Sequence, residues 1–402
     1  DEAATFFHYV NQGLFWPGTA HWDANNHILN SFLSIQSFQL FGSSEFALRL
    51  PNVLSAIIFF VFAIKLGELA ENRIVGWLLF TALAFNQFVL EFLAISRGYG
   101  ISMSLLLPAL YFAYSWMKNK QVLSLVLSLV FLQLATLANL SLLLLNISVT
   151  GVLVLWFLVQ IRDKWFLNSA AFLMSFATIA WFVWLSFEYK SRGLFYYGSG
   201  DGFWNVTVLS LAKYGFVGLT SIFPFVSVMV LLFLLLFSAL ILKKNGIQRT
   251  LLFPTMLFLC MLGNWLMNLL LGVNYPEDRV AIFYLILGPI ALAFLVDKVV
   301  RETKPKAFKK VVLSAAFLLL IFPVNFALSA NVSRVYLWKE DACAKSFYHY
   351  VLSYTSATKT NPTVAGYRLR DLPFFYYNFR NGGQLSPIQD NAFRGTEADF
   401  QY

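Results

Sequence analysis

What this sequence has least of is charge. Only 12% of its 402 residues are Asp, Glu, Lys or Arg and 59% are hydrophobic, whereas a soluble domain carries about twice that charge. An ordinary soluble globule is excluded, and the mean hydropathy of +0.67 indicates a polytopic membrane protein. Cysteine is nearly absent. Cys260 lies inside an apolar run and Cys343 in a polar tail, so both read as free thiols and a disulfide framework is excluded. No glycine-rich phosphate loop or dinucleotide fingerprint occurs, which removes the soluble nucleotide-binding folds. Histidine is scarce too. His21, Asp23 and His27 are conceivable ligands for a divalent metal, but their spacing matches no standard zinc pattern, and no cofactor is implied. The net charge of +9 does not call for nucleic acid, because loop lysines and arginines orient a membrane protein and meet anionic headgroups.

What the chain has in quantity is long apolar runs. About ten are long enough, or nearly so, to cross a bilayer: 51–70, 74–93, 98–117, 121–139, 140–161, 165–187, 221–242, 251–272, 279–300 and 310–328. Pro51 suits the first turn of its helix, and Pro108 should kink the one it interrupts. The chain opens on Asp1 without a signal peptide, so a further membrane helix is expected to precede it. With residues 1–50 external, the internal loops contain Arg73, Lys118, Lys120, Arg162, Lys164, Lys243, Lys244, Arg249, Lys298, Arg301, Lys304, Lys306, Lys309 and Lys310, the bias of the positive-inside rule. The expected fold is therefore all-α and polytopic, with external amphipathic helices and a small external C-terminal α/β tail. Its expected domains are an external segment at 1–50, a transmembrane domain at 51–330 with an external loop at 188–221, and the tail at 331–402.

Within the first segment, 2–10 and 26–41 read as helices lying on the membrane. In the tail, 342–354 reads as a helix, 363–367 as a strand and 374–379 as an aromatic run.

Candidate chemistry gathers on the external side. Asp1 and Glu2 supply one carboxylate to abstract a proton and a second to tune or orient it. Surface Asp-Glu pairs are common, so the pair alone is weak. Glu91 and Arg97 flank a tight external turn followed by Gly98-Tyr99-Gly100, where an anion can approach the backbone closely; a structural Glu–Arg ion pair is the plainer reading. The stretch from Tyr275 through Asp278 to Arg279 is another charged mouth, and an arginine entering a membrane helix from outside suits a phosphate. The loop glycines Gly198, Gly200 and Gly202, among Tyr197 and other aromatics, suggest either a lid or an interfacial belt.

These residues resemble a family. The carboxylate pair, Asn26-His27 before an amphipathic helix, Leu40-Phe41-Gly42, Ala47-Leu48-Arg49-Leu50-Pro51 and Arg97-Gly98-Tyr99 look like the GT-C membrane glycosyltransferases. The nearest branch is that of bacterial protein O-mannosyltransferases, aminoarabinose transferases and lipopolysaccharide-core glycosyltransferases. The similarity is strongest over 1–117 and recurs at Glu277–Arg279.

The resemblance implies inverting transfer of a sugar from a polyprenyl-phosphate donor to a hydroxyl of a lipid, glycan or protein. It places the work on the periplasmic face of the inner membrane, with Asp1 as base. Arg97, Arg279 and Arg49 would then meet the donor phosphate, and Asn26, His27, Glu91, Tyr99, Tyr197, Tyr275 and Asp278 are candidate substrate contacts. Competing readings are a transporter or flippase for lipid-linked glycans, and a glycan ligase or polymerase. The transporter reading predicts midplane charges and two similar halves, neither of which is evident.

Overall fold

Asparagine and serine side chains decide where the apolar runs become helices. Asn72 accepts from the amides of Ile74 and Val75 and opens the helix Arg73–Ala84. Asn86 accepts from Val89 N and opens the short helix Gln87–Leu93. Such caps satisfy amides that have no partner within the helix. Ser44 does the same: its hydroxyl accepts from Ala47 N at 3.0 Å, and the first long helix starts at Glu45. This corrects the expectation that Pro51 opens that helix. Pro51 lies inside it and cannot donate to the Ala47 carbonyl, which accepts from the Ser37 hydroxyl. Pro289 likewise leaves the Leu285 carbonyl without its helical donor, and Asn86 Nδ2 supplies one at 3.0 Å.

The computed structural model describes residues 2–160, 164–219, 226, 230, 233, 249–302, 306–360, 362, 364, 365, 371–385, 400 and 401. Its helices in chain order are α1 (Glu2–Thr5, continued by a π-helical turn Phe6–Val10), α2 (Ile28–Phe41), α3 (Glu45–Glu68), α4 (Arg73–Ala84), α5 (Gln87–Leu93) and α6 (Gly98–Asn119). There follow α7 (Val122–Ala138), α8 (Leu143–Gln160), α9 (Trp165–Ser191), α10 (Leu209–Gly215), α11 (Leu252–Leu271) and α12 (Tyr284–Glu302). The last are α13 (Lys306–Ser314), α14 (Ile321–Ser329), α15 (Ala344–Thr358) and α16 (Asp371–Arg380). Two short strands, β1 (Val364–Ala365) and β2 (Phe400–Gln401), pair in parallel.

Seven helical segments among the described residues are long and apolar enough to cross a membrane, and α4 with α5 forms an eighth candidate bent by 51°. Of the remaining expected spans, α7 is apolar but shorter, and the 221–242 run lies outside the described residues apart from 226, 230 and 233. The chain is a multi-pass, all-α membrane protein with a small α/β C-terminal region. Helix α6 runs through Pro108 from Gly98 to Asn119.

Contacts divide the chain into two compact units. One comprises 1–21, 31–51 and 331–402, so the two polar ends of the sequence fold together; the other comprises 22–30 and 52–330. In the first unit Ala3, Phe6, Val10, Ile35, Leu48 and Tyr376 form one apolar cluster. Tyr348, Val351, Val364, Phe374 and Leu385 form another. Of the seven long spans among the described residues, α6 and Asp278–Glu302 are the most enclosed, 83% buried each, against 28% for Trp165–Ser191. Lipid tails are as apolar as leucine, so polar bonds help join such helices. Asn146 of α8 donates to Gln133 and Thr136 of α7 at 2.9 Å each, and Gln133 reaches Ser175 of α9 at 2.8 Å.

Candidate active site

Two of the three arginines named for a phosphate stand at the mouths of the two most enclosed long spans among the described residues. Arg97 is the residue before α6, and Arg279 lies in the 3₁₀ turn Asp278–Ala281 that leads into α12. Neither could be so buried by chance hydropathy: Arg97 is 2% exposed and Arg279 9%. Both guanidiniums hydrogen-bond toward the Tyr99 hydroxyl, and they are close enough for their charges to oppose each other. The two like charges oppose each other; Asp278, 3.9 Å from Arg279 Nη1, offsets part of this for Arg279, and burial disfavours the charge on Arg97.

Backbone shape holds the Arg97 turn. A side chain at Gly98 would run into the Ala138 carbonyl at 2.0 Å and His27 Cβ at 2.5 Å, so only glycine permits this approach. Asn30 Nδ2 donates to Ser96 O at 3.4 Å, and Asn52 Nδ2 donates to Asn30 Oδ1 at 2.8 Å. His27 Nδ1 lies 3.0 Å from the Ala138 carbonyl, 111 residues away. A carbonyl only accepts, so Nδ1 carries the proton and Nε2 keeps its lone pair; Nε2 is buried and has no partner among the described residues. Burial first, then the Arg97 and Arg279 charges, hold the imidazole neutral by pushing its pKa well below the usual histidine range. Its ring meets Tyr99 edge-on at 4.6 Å. Asn25 joins the group by accepting from Arg97 Nη2 at 3.4 Å.

The Arg279 mouth is tied to the loop between α9 and α10. Tyr197 donates to the Asp278 carboxylate and accepts from Arg279 Nη1 at 3.1 Å, with the guanidinium 4.5 Å from its ring centre. Burial above all raises the Tyr197 pKa, so the phenol keeps the proton this bridge needs. Tyr275 N donates to Ser199 O at 2.9 Å, Asn274 Nδ2 to Gly198 O at 3.0 Å, and Thr207 to Pro276 O at 2.6 Å. Asp278 holds a left-handed backbone at φ 38, an uncommon conformation in which its amide donates to Ser210 at 2.9 Å. Tyr197→Phe removes both hydroxyl bonds, each of the charged kind that contributes roughly 1.5–3 kcal/mol. Hydrogen exchange of 195–204 is expected to accelerate in that variant; unchanged protection would show that the other loop bonds suffice.

An apolar cavity of about 140 Å³ lies in the same unit, lined by Phe203, Leu211, Phe216, Leu257, Tyr284 and Leu285 among others. It begins at Phe203 of the loop and reaches Tyr284, the first residue of α12. Phe203 also meets Tyr275 and Tyr284 edge-on, at 6.2 and 5.6 Å, so the cavity wall adjoins the turn that holds Arg279.

Other expected site residues fall differently. Asn26 is buried, Tyr275 packs edge-on against Phe203 at 6.2 Å, and Glu91 accepts from Gln87 Nε2 at 3.0 Å within α5. Asp1 lies outside the described residues. Glu2 and Arg49 belong to the first unit and form a fork, with Arg49 Nε to Glu2 Oε1 at 2.9 Å and Nη2 to Oε2 at 2.5 Å. Of the three residues considered for a metal, His21 stacks on His8 at 4.5 Å, and Asp23 accepts from Asn25 N at 2.8 Å. Among the described residues no group of three or more His, Cys, Asp or Glu is placed to hold one. Sequence reasoning missed Asn25 and the Ala138 carbonyl. The first adjoins the Asn26-His27 pair and was within reach; a backbone acceptor distant in sequence leaves no signal.

No protein-family model and no curated protein matches this sequence. Solved structures do: ArnT from Cupriavidus metallidurans in the apo state is similar at TM-score 0.51, and the same protein bound to undecaprenyl phosphate at 0.53. Each alignment covers 97% of this chain and 80% of that one, at 14% identity. The fold is that of these ArnT structures. At this identity the likeness carries the fold alone, and the Arg97 and Arg279 turns stand on the geometry above.

Proposed function

We propose that the protein is a glycosyltransferase that moves a sugar, with inversion, from a polyprenyl-phosphate donor to a hydroxyl acceptor at the external face of the membrane. The observation that carries this reading is the convergence of Arg97 and Arg279 on Tyr99. A polyprenyl-phosphate sugar is a phosphodiester with one negative charge, and its phosphate gains a second as the glycosidic bond breaks. Preorganised guanidiniums stabilise that growing charge. The cavity bounded by Tyr284 and Phe203 takes part of the prenyl chain. His27, neutral, keeps an acceptor nitrogen beside the cationic pair for a donor hydroxyl. Asp1 removes the proton of the acceptor hydroxyl, so that the oxygen attacks the anomeric carbon as the polyprenyl phosphate leaves. The acceptor is a lipid, glycan or protein.

The likeness to a protein solved with undecaprenyl phosphate supports a lipid of that class. The positive-inside bias supports the external face. The direct test incubates purified protein in lipid nanodiscs with polyprenyl-phosphate sugars and an envelope extract from the host as acceptor source. Transfer of label from donor to acceptor is expected, together with saturable binding of polyprenyl phosphate; absence of both would overturn the reading. Thiol labelling of Thr19→Cys and Thr396→Cys in intact cells is expected from outside, and labelling from the cytoplasm alone would reverse the orientation.

A further inference from the structure

Arg49 resembles a phosphate ligand in sequence, yet its donors face carboxylates. Nε and Nη2 fork onto both oxygens of Glu2, and Nη1 is 3.9 Å from Glu45. A phosphate at this guanidinium would meet two acidic groups at once, a repulsive setting. Glu45 itself is held by the C-terminal segment: Lys345 Nζ is 3.1 Å from its carboxylate and Arg380 Nη1 3.6 Å. Tyr377 of α16 also hydrogen-bonds to Glu45, with burial first and then the nearby carboxylate raising its pKa to about 12, so it remains a donor.

Alongside this charge network runs an apolar one. Phe6 packs edge-on against Tyr376 at 5.2 Å and against Phe38 at 5.7 Å, with Phe379 tilted at 5.4 Å, and the Tyr376 hydroxyl donates to Ser43 O at 2.6 Å. Helix α1 is only four residues long, and a segment that short has almost no helical stability of its own. Its position is therefore set from outside, by α3 and α16.

We infer that Arg49 is a positioning residue: through its fork on Glu2, braced by Glu45 and the C-terminal helix α16, it fixes the segment Glu2–Val10 that follows the base in the sequence. Glu2 is committed to this fork, which leaves the proton transfer to Asp1. The C-terminal segment thus braces the chain directly after Asp1 in the sequence. The inference rests on the glycosyltransferase reading for its kinetic consequence, and on exchange measurements for its structural one.

The kinetic test compares Arg49→Lys, Arg49→Ala and Glu2→Arg with the exchange pair Glu2→Arg/Arg49→Glu in the full chain. A displacement of about 1 Å can cost roughly 10²-fold in rate, and that loss is expected in kcat for Arg49→Ala with the donor KM unchanged. Arg49→Lys, which cannot form the fork, is expected to recover only part of it. The exchange pair should exceed Glu2→Arg by about tenfold, because the two residues couple directly. A rise in donor KM at constant kcat, with no recovery in the exchange pair, would return Arg49 to the phosphate. Independently of turnover, amide exchange over residues 3–10 is expected to accelerate in both Arg49→Ala and Arg380→Ala. Unchanged exchange in both would overturn the inference. Wild-type protein that shows this acceleration on mutation but no sugar transfer would sink the glycosyltransferase reading while leaving the clamp standing.

Discussion

Asp1→Asn is expected to lower the rate of sugar transfer by about 10²–10⁴-fold, the usual loss when a general base is removed. Asparagine preserves the size of the side chain and removes only its capacity to take a proton. Binding of the polyprenyl-phosphate donor should survive, because the guanidiniums assigned to the phosphate are Arg97 and Arg279. Glu2→Gln should differ in kind. Both Glu2 oxygens accept from Arg49, so glutamine loses half of the charge-assisted fork and disturbs the placement of the segment instead of removing the base. The comparison is made in single-turnover kinetics at saturating donor, which separates chemistry from product release. Wild-type turnover by purified Asp1→Asn would remove Asp1 from the chemistry.

Combining Arg97→Ala with Arg279→Ala is expected to abolish measurable donor binding as well as transfer. A single hydrogen bond to a charged group contributes roughly 1.5–3 kcal/mol, so each alanine alone should cost about 10- to 100-fold. The two share the Tyr99 hydroxyl and feel each other's charge, so their effects should not simply add. Relief of this repulsion should steady the protein only at Arg97. Thermal unfolding of Arg97→Ala is therefore expected at an unchanged or higher temperature, whereas Arg279→Ala also leaves the buried Asp278 without its ion pair and Tyr197 without a donor and should unfold at a lower one; binding of polyprenyl phosphate falls in both. Lower stability with intact binding would give the pair a structural role alone. Lysine at either position should restore the charge and only part of the affinity, since it cannot grip a phosphate through two parallel bonds.

The apolar runs, their turns and the two arginine mouths were legible in the sequence for a local reason. Hydrocarbon selects residues one by one over about twenty positions, so composition alone reveals a span, and an arginine at its end stands out against that background. The start of α3 was also written locally, in Ser44 ahead of Glu45, although Pro51 drew the eye. The pairing of partners was not local. Arg49 carries the same side chain as Arg97 and Arg279, and no periodicity distinguishes a guanidinium that faces Glu2 from one that faces Tyr99. His27 could not be tied to a carbonyl 111 residues on, because every residue has a carbonyl. Nor could the C-terminal helix be joined to α1, whose contacts with Tyr376 cross nearly the whole chain. Composition along the chain marks a multi-pass membrane protein with arginines at two external turns, since transfer into lipid acts on each residue where it stands. Which partner each arginine answers to, Glu2 for Arg49, Asn25 for Arg97 and Tyr197 for Arg279, follows from the tertiary structure alone, because ion pairs and polar bonds are chosen by distance in space, and chain closure brings those groups together.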